Sequence, residues 1–341
     1  MLNEDTVKRI KDLIGYLEDN KDKLTIDADT HPTAIDKMDE GLLIRYKATP
    51  NYYHGRPISI IDLLREMKMA KVDMNLIWQN PAALIYTQDK DLNYQKLLKA
   101  NEHILQSAVE HPTSFIPAGW TDPKALGVEN ALKLTDKLMF EFGFCIVKMN
   151  PAQNAFPIDS EMVIAVVDRI VENGGVPTFH YGADTPYTPA EGLEKIAARH
   201  PNNRVMAVHM GGGGAGYVEM EEHCQKTRKL GLKYPNLFFP LSAKRDTHIE
   251  SDFITYQLAG EPFCHNLACA SDAPYGRQTW NFGGYARMFD SLINSSEHTD
   301  ERVRNNSDKF NEEMARNFLG RNFANFIIQA YQHFFNKHQI K

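Results

Sequence analysis

Short apolar runs alternate with amphipathic stretches along most of this chain. Each run is short enough for a strand, whereas the stretches between the runs carry apolar residues at helical spacing. The first predicted strand begins near Leu24 and ends in polar residues, and seven more follow at Val72–Trp78, Ser114–Trp120, Gly143–Met149, Gly175–His180, Arg204–His209, Asn236–Leu241 and Asn266–Ser271. Helices are predicted at residues 5–19, 58–70 and 94–109, from Pro123, from Ser160, from Thr188 to before Pro201, and in two stretches after residue 308.

This alternation over about 250 residues is typical of parallel β/α units. The number of strands favours the α/β class and a closed (β/α)8 barrel of the TIM type. An open doubly wound sheet is the rival, but it would need a glycine-rich dinucleotide loop after an early strand, and the sequence has none. We expect one domain over residues 1–341, with a barrel core at about 24–290. Residues 5–19 form an N-terminal helix, and helices at about 308–336, interrupted by Gly320, cover the barrel.

Residues 38–57 show little periodicity, and they predict an irregular insertion after the first strand. Arg45, His54 and Arg56 lie in this insertion. Arginine pairs well with carboxylates, so these residues are candidates for binding an anionic substrate. A solvated loop is the alternative interpretation for each of them.

Composition and charge exclude several classes of function. Of the 341 residues, 43% are hydrophobic and 24% are charged, and the net charge of −6 gives no basic surface for nucleic acid. The first residues lack a signal-peptide pattern, and no apolar run approaches the length of a membrane span. The four cysteines, Cys145, Cys224, Cys264 and Cys269, are far apart. We expect free thiols and a cytoplasmic protein, with Cys145 and Cys269 in the core.

Metal-ligand types stand where four of the predicted strands end. Asp29 and His31 end the first strand, and because they are two residues apart they point to the same face. His180, His209 and Asp272 end three later strands. Functional groups of such barrels lie at the carboxyl ends of the strands. Imidazole and carboxylate ligands suit a divalent ion such as Zn²⁺. A single histidine among thirteen would favour a surface or core role, but the set predicts a metal site.

Other strand-end residues carry two interpretations each. Trp78 and Trp120 could form an apolar wall of the site or pack in the core. Lys244 and Arg245 could bind an anion or face solvent. The glycines Gly211–Gly214 have no Gly-Lys-Ser/Thr after them, so they favour close backbone approach to the metal pocket over a phosphate loop.

The order of these motifs resembles the amidohydrolase superfamily, and more narrowly its amidohydrolase-2 branch. The resemblance runs from about Ile26 to Ile327 and rests on Asp-x-His at 29–31, His180, His-x-Gly-Gly at 209–212, Ser-Asp-x-Pro at 271–274 and the closing helix at 314–324. That branch includes metal-dependent hydrolases and nonoxidative decarboxylases of aromatic or muconate acids. Its members are commonly dimers, so the resemblance also implies a homodimer.

The resemblance implies roles for the matching positions. Asp29, His31 and His180 would bind metal, and Asp272 would bind metal or accept a proton. His209 would be a ligand in a two-metal site or an acid/base group beside one metal. Many members have His at the first position of the opening pair, where this chain has Asp29. The extra negative charge could change the preferred metal or lower its affinity.

Lys148 bears on the number of ions. In two-metal members a carbamylated lysine at this strand bridges the ions, whereas an uncarbamylated Lys148 would form a salt bridge or face the substrate. We expect one divalent ion, zinc first and manganese second, with two ions as the alternative.

Two reactions fit this site. A metal lowers the pKa of water toward ~7, and Asp272 or His209 could move protons during hydrolysis of an amide, a lactone or a similar bond. The alternative is a decarboxylase, or a hydratase, of an aromatic or dienoic acid, in which an acid protonates carbon as CO₂ leaves. Both act on a small molecule. A third hypothesis is that the protein is a catalytically inactive barrel that binds a ligand.

Overall fold

A computed structural model describes residues 2–183, 186–213 and 221–340. Its strands are all parallel, in the order β1 to β9. They are β1 (Ile26–Thr30), β2 (Met74–Ile77), β3 (Phe115–Pro117), β4 (Gly119–Trp120), β5 (Ile146–Met149), β6 (Val176–His180), β7 (Val205–Val208), β8 (Leu237–Leu241) and β9 (Leu267–Cys269). Each lies inside one of the predicted strands, and the α/β TIM-barrel prediction is confirmed.

The third predicted strand is divided into β3 and β4. Its first half pairs with β2 and its second half pairs with β5. Pro117, at the end of the first half, has no N–H to donate. The third predicted strand thus links the sheet of β1 to β3 with the sheet of β4 to β9.

The barrel closes between β9 and β1, at the carboxyl end of β1 and just after the end of β9. The Asp272 N–H donates to Asp29 O at 3.0 Å, and the His31 N–H donates to Ala273 O at 2.7 Å. These bonds hold the carboxyl ends of the first and last strands beside each other. They also bring together residues that are more than 240 positions apart in the sequence.

Helices surround the strands. They are α1 (Glu4–Asn20), α2 (Glu40–Ala48), α3 (Ile60–Ala70), α4 (Lys90–Glu110), α5 (Pro123–Leu126), α6 (Val128–Phe140), α7 (Glu161–Glu172), α8 (Ala190–Arg199), α9 (Glu221–Lys233), α10 (Asp246–Ala259), α11 (Gln278–Ile293), α12 (Glu301–Arg304), α13 (Glu312–Arg316) and α14 (Asn322–Lys337). Among the described residues, none of these helices is both long and apolar enough to cross a bilayer. All four cysteines are free thiols, and Cys145 and Cys269 are buried as predicted.

Two predictions about helices were wrong. The insertion at 38–57 contains helix α2, which buries only Leu42 and therefore has no apolar stripe to reveal it. Gly320 does not interrupt the C-terminal helices, because a π-helical turn at Asn317–Arg321 connects α13 to α14 without a break. A Cβ at Gly320 would lie 1.9 Å from Leu24 O, so this glycine allows the helix to approach the start of β1. The C-terminal cover thus packs against the amino-terminal end of the barrel.

A buried carboxyl at the start of α5 predicts a pH effect on stability. Asp122 caps this helix, accepting from the N–H groups of Lys124 and Ala125 at 3.1 and 2.8 Å. Burial raises the pKa of Asp122 to about 6. Between pH ~4 and ~6 the unfolded chain ionises first, so the folded state binds the extra proton and ionisation of this group lowers stability as the pH rises.

Asp122→Asn removes that ionisation and retains a capping oxygen. We expect the unfolding free energy of the variant, relative to the wild type, to rise by about 2 kcal/mol from pH ~4 to ~6 and then to level off. Urea denaturation at several pH values measures this difference. A difference that does not change with pH would contradict the prediction.

Candidate metal centre

Three side chains that can bind a metal meet at the point where the barrel closes. His31 Nε2 lies 3.3 Å from Asp29 Oδ1 and 3.4 Å from Asp272 Oδ1. The side chains of Asp29 and His31 are 0% and 3% exposed, and that of Asp272 is 13% exposed. One ligand atom from each of the three residues lies within 4.8 Å of the others. The structure therefore brings together three of the residues that the sequence placed at strand ends.

The spacing of these atoms fits a divalent ion. Ligands at 2.0–2.1 Å from a tetrahedral ion are about 3.3 Å from each other, close to the two distances from His31 Nε2. Two carboxylates and one imidazole also form a donor set that Zn²⁺ and Mn²⁺ accept. The residues present thus fit one divalent ion by distance and by chemistry.

The orientation of His31 is fixed by the segment that follows β2. His31 Nδ1 lies 2.9 Å from the carbonyl oxygen of Gln79, which can only accept, so Nδ1 carries the proton in the neutral ring. The lone pair is then on Nε2, which faces the two carboxylates. Burial and Lys148 oppose protonation, but hydrogen bonds to Asp272 and Asp29 dominate and raise the pKa of His31. A bound cation would take the place of that extra proton.

Lys148 supplies a buried positive charge beside the same group. Its Nζ lies 3.0 Å from Asp29 Oδ1 and 3.8 Å from the centre of the Trp78 ring. Burial opposes ionisation of Asp29, but Lys148 and the nearby histidines outweigh burial and hold its pKa well below the usual range. Burial lowers the pKa of Lys148 itself, despite the two nearby aspartates. For Asp272, burial and the charge of Asp29 raise the pKa.

Of the two positions considered for Trp78, the structure shows the core position and not the substrate-facing one. It is 0% exposed, and its indole N–H donates to Asp29 Oδ1 at 3.0 Å. It thus lies behind Lys148 and supports a candidate ligand. Trp120, the other strand-end tryptophan, instead lines a cavity beside the three metal-ligand residues.

His209 is also placed behind the site, with both ring nitrogens occupied. Ser242 Oγ donates to Asp29 Oδ2 at 3.0 Å, so it accepts from His209 Nδ1 at 2.8 Å. His209 Nε2 must then accept from His180 Nδ1, which lies 3.0 Å away. Burial and His180 hold the pKa of His209 well below its usual value, which keeps this ring neutral. The network therefore leaves the lone pair of His180 on Nε2, as a metal ligand requires.

A cavity of about 380 Å³ connects the candidate metal centre to the outside. Besides the residues predicted from the sequence, its wall contains three polar side chains that the sequence analysis did not select. The lining includes His31, Lys148, His180 and Asp272, together with Trp120, Asn150, Gln153 and Tyr275. Asn150 directly follows β5, so its strand-end position could have identified it. Tyr275 lies further along the segment that follows β9 and had no such signal. Ser242 directly follows β8, so the same strand-end signal could have identified it.

The arginines of the insertion do not reach this cavity. Arg45 is exposed on α2. The Arg56 guanidinium lies 4.3 Å from the centre of the Tyr46 ring and donates to Thr49 O, so it stabilises the insertion itself. The structure thus gives neither arginine the predicted contact with the site.

His54 lies closer to the candidate centre. Its ring is 4.8 Å from that of Trp280, and it lines a neighbouring cavity of about 490 Å³ that also contacts Asp272 and Tyr275. Arg245, one of the two ambiguous cations after β8, lines this second cavity. Lys244 also lines it, but its ammonium is paired with the buried carboxylate of Asp252.

The glycines after β7 bring backbone to the site, as predicted for those that the structure describes. Gly213 lines the main cavity, with a φ of +67° that favours glycine. A Cβ at Gly212 would lie 1.9 Å from Lys244 Cγ. Gly214 lies outside the described residues.

The family model described as Amidohydrolase, of the Amidohydro_2 type, matches residues 26–288. This chain belongs to the amidohydrolase-2 family. The resemblance drawn from the strand-end motifs is therefore confirmed. Amidohydrolase-2 proteins are enzymes and include both hydrolases and decarboxylases. No curated protein sequence matches this chain.

Solved structures of other proteins share the amidohydrolase-2 barrel at low sequence identity. The 5-carboxyvanillate decarboxylase of Sphingomonas paucimobilis is 15% identical, with a TM-score of 0.62, and the match covers 89% of this chain and 98% of that one. Its counterpart from Novosphingobium aromaticivorans, solved with bound manganese, is 14% identical, with a TM-score of 0.62 and coverage of 90% and 98%. A probable 2-pyrone-4,6-dicarboxylic acid hydrolase of Acinetobacter baumannii is 13% identical, with a TM-score of 0.52 and coverage of 89% and 98%. At these identities the likeness concerns the fold.

Proposed function

We propose that this amidohydrolase-2 protein is a metal-dependent hydrolase that cleaves an amide, a lactone or a similar C–N or C–O bond of a small anionic substrate. One observation carries the proposal: Asp29, His31 and Asp272 converge at the closure of the barrel and adjoin a cavity that His180 also lines. This arrangement combines metal-ligand chemistry with an accessible carboxyl.

Asp29, His31, His180 and Asp272 would hold one divalent ion. Zinc suits these ligands, and manganese is the ion bound in the Novosphingobium relative. When bound, the ion supplies Lewis-acid activation of water and of a carbonyl oxygen. The contacts of Lys148 with Asp29 and with two indole rings suit a charged ammonium, which favours a single ion over a carbamate-bridged pair.

Asp272 is the proposed acid/base group. This carboxyl lines the cavity, and burial and the charge of Asp29 raise its pKa in the metal-free protein. It can take a proton from the attacking water and return it to the leaving nitrogen or oxygen as the bond to carbon breaks. Lys148, which lines the cavity, supplies positive charge for an anionic substrate.

A decarboxylase is the second candidate, favoured by the aromatic wall of the cavity. Trp120 and Tyr275 line it, and their rings lie 5.9 and 5.8 Å from that of His31. Such a wall suits the flat ring of an aromatic acid. In this reaction Asp272 would donate a proton to the ring carbon while the C–C bond to the departing CO₂ breaks.

A substrate panel separates the two reactions. Protein loaded with zinc or manganese, and chelated protein as the control, would be incubated with lactones, amides and hydroxybenzoates while acid and CO₂ release are both recorded. Metal-dependent acid release without CO₂ supports the hydrolase. Metal-dependent CO₂ release contradicts the hydrolase and supports the decarboxylase. Substrate binding without turnover in either form would favour a binding protein.

A further inference from the structure

A separate cavity of about 320 Å³ lies next to the candidate metal centre. It is enclosed by the segment that follows β1, the segment that follows β2, and helix α4. Its volume is within the range of small-molecule sites. The residues that line it do not include Asp29, His31, His180 or Asp272.

Two buried nitrogen atoms of this cavity's lining lack a hydrogen-bond partner. They are Gln79 Nε2 and His103 Nε2, and neither has an acceptor within the described part of the chain. Gln79 is only 2% exposed. Buried polar groups are nearly always hydrogen-bonded, because leaving one unpaired costs its hydration. The pair therefore indicates an acceptor that occupies the cavity.

The charge around the cavity is positive. Lys37, Lys96 and Lys99 line it, against the single carboxylate of Asp39. That carboxylate is 3.2 Å from Lys96 Nζ, so its charge is already balanced. Burial, and then Lys37, lower the pKa of His103, which keeps the ring neutral. In the tautomer with the proton on Nε2, that nitrogen is a donor.

We propose that this cavity binds a small organic carboxylate. Its oxygens accept hydrogen bonds from Gln79 Nε2 and His103 Nε2, while Lys37 and Lys99 attract its charge at the rim. A short apolar body packs against Leu84 and Leu92, which also line the cavity. The three kinds of contact together select an anion with a hydrocarbon chain over a neutral or a purely inorganic ligand.

Gln79 connects this cavity to the neighbouring centre. Its side chain lines the carboxylate cavity, while its main-chain oxygen accepts from His31 Nδ1 at 2.9 Å. The proposal nevertheless does not depend on the proposed function. Binding can be measured on the metal-free full chain, where failure of the hydrolase proposal would leave the result unchanged.

The test uses butyrate as the probe and butyramide as its neutral counterpart, titrated into chelated full-length protein by calorimetry or ligand-observed NMR. We expect butyrate to bind at least ~10-fold more tightly than butyramide, because charge-assisted hydrogen bonds are the stronger kind. His103→Phe should weaken butyrate binding ~10-fold, whereas His103→Gln, which retains an N–H donor, should stay within about 3-fold of the wild type.

Two further variants give matched controls. Lys99→Ala should weaken binding by about 3-fold, as expected for an exposed charge, while Lys68→Ala, at an exposed lysine of α3, should have no effect. His180→Ala, in the other cavity, should also leave binding unchanged. Equal binding of butyramide, retention of affinity in His103→Phe, or loss of butyrate binding in His180→Ala would each overturn the proposal.

Discussion

Replacing Asp272 by asparagine is expected to lower kcat about 1,000-fold on whichever substrate the panel identifies. Asparagine retains the size of the side chain and an oxygen that can face a metal, but it cannot take up or return a proton. The carboxyl is 13% exposed and lines the cavity, where it can exchange protons with a bound substrate. Steady-state kinetics at saturating metal concentration measure the effect and separate it from weaker metal binding.

The control for this variant is Asp246→Asn, an exposed aspartate that lines the neighbouring cavity. It removes the same charge from the same side of the barrel without touching the candidate centre, so its kcat should stay close to that of the wild type. A kcat for Asp272→Asn within about 10-fold of the wild type would reject Asp272 as the acid/base group.

The barrel could be predicted from the sequence because each parallel strand leaves a local signal. A buried strand reads as a short apolar run, and its carboxyl end is marked by the polar residues that follow. Asp29, His31 and Asp272 were found this way, although their contact across the closure involves β1 and β9, which are far apart in the chain. Helix α2 left no such signal because it buries one residue only.

The depth of a side chain at a strand end could not be predicted in the same way. His180 and His209 both end strands, yet one lines the cavity and the other lies behind it, 1% exposed. That difference depends on Ser242, which follows β8 and occupies His209 Nδ1. Trp78 and Trp120 differ for a similar reason, since Asp29 accepts the indole N–H of Trp78. Whether such a side chain lines the cavity therefore depends on hydrogen-bond partners from other strands, which local sequence patterns do not reveal.

Charge balance at the centre leads to the second large effect. Lys148 is 1% exposed, and its ammonium is 3.0 Å from Asp29 Oδ1. Lys148→Met retains the hydrocarbon chain but removes the charge, which leaves a buried carboxylate without its counter-ion. Breaking a buried ion pair from one side costs about 3–5 kcal/mol, so we expect the metal-free variant to lose that much unfolding free energy. Chemical denaturation in the presence of a chelator measures the loss.

A divalent ion changes this outcome if it binds beside Asp29. The ion replaces the missing positive charge, so the loss in Lys148→Met should be clearly smaller in excess zinc or manganese than in chelator. By the same linkage, the variant should bind the ion more tightly than the wild type, because Lys148 no longer repels it. Lys68→Met, at an exposed position of α3, should change stability by no more than about 0.5 kcal/mol in either condition. An equal loss for Lys148→Met with and without the ion would place the cation away from Asp29 and contradict the proposed ligand set.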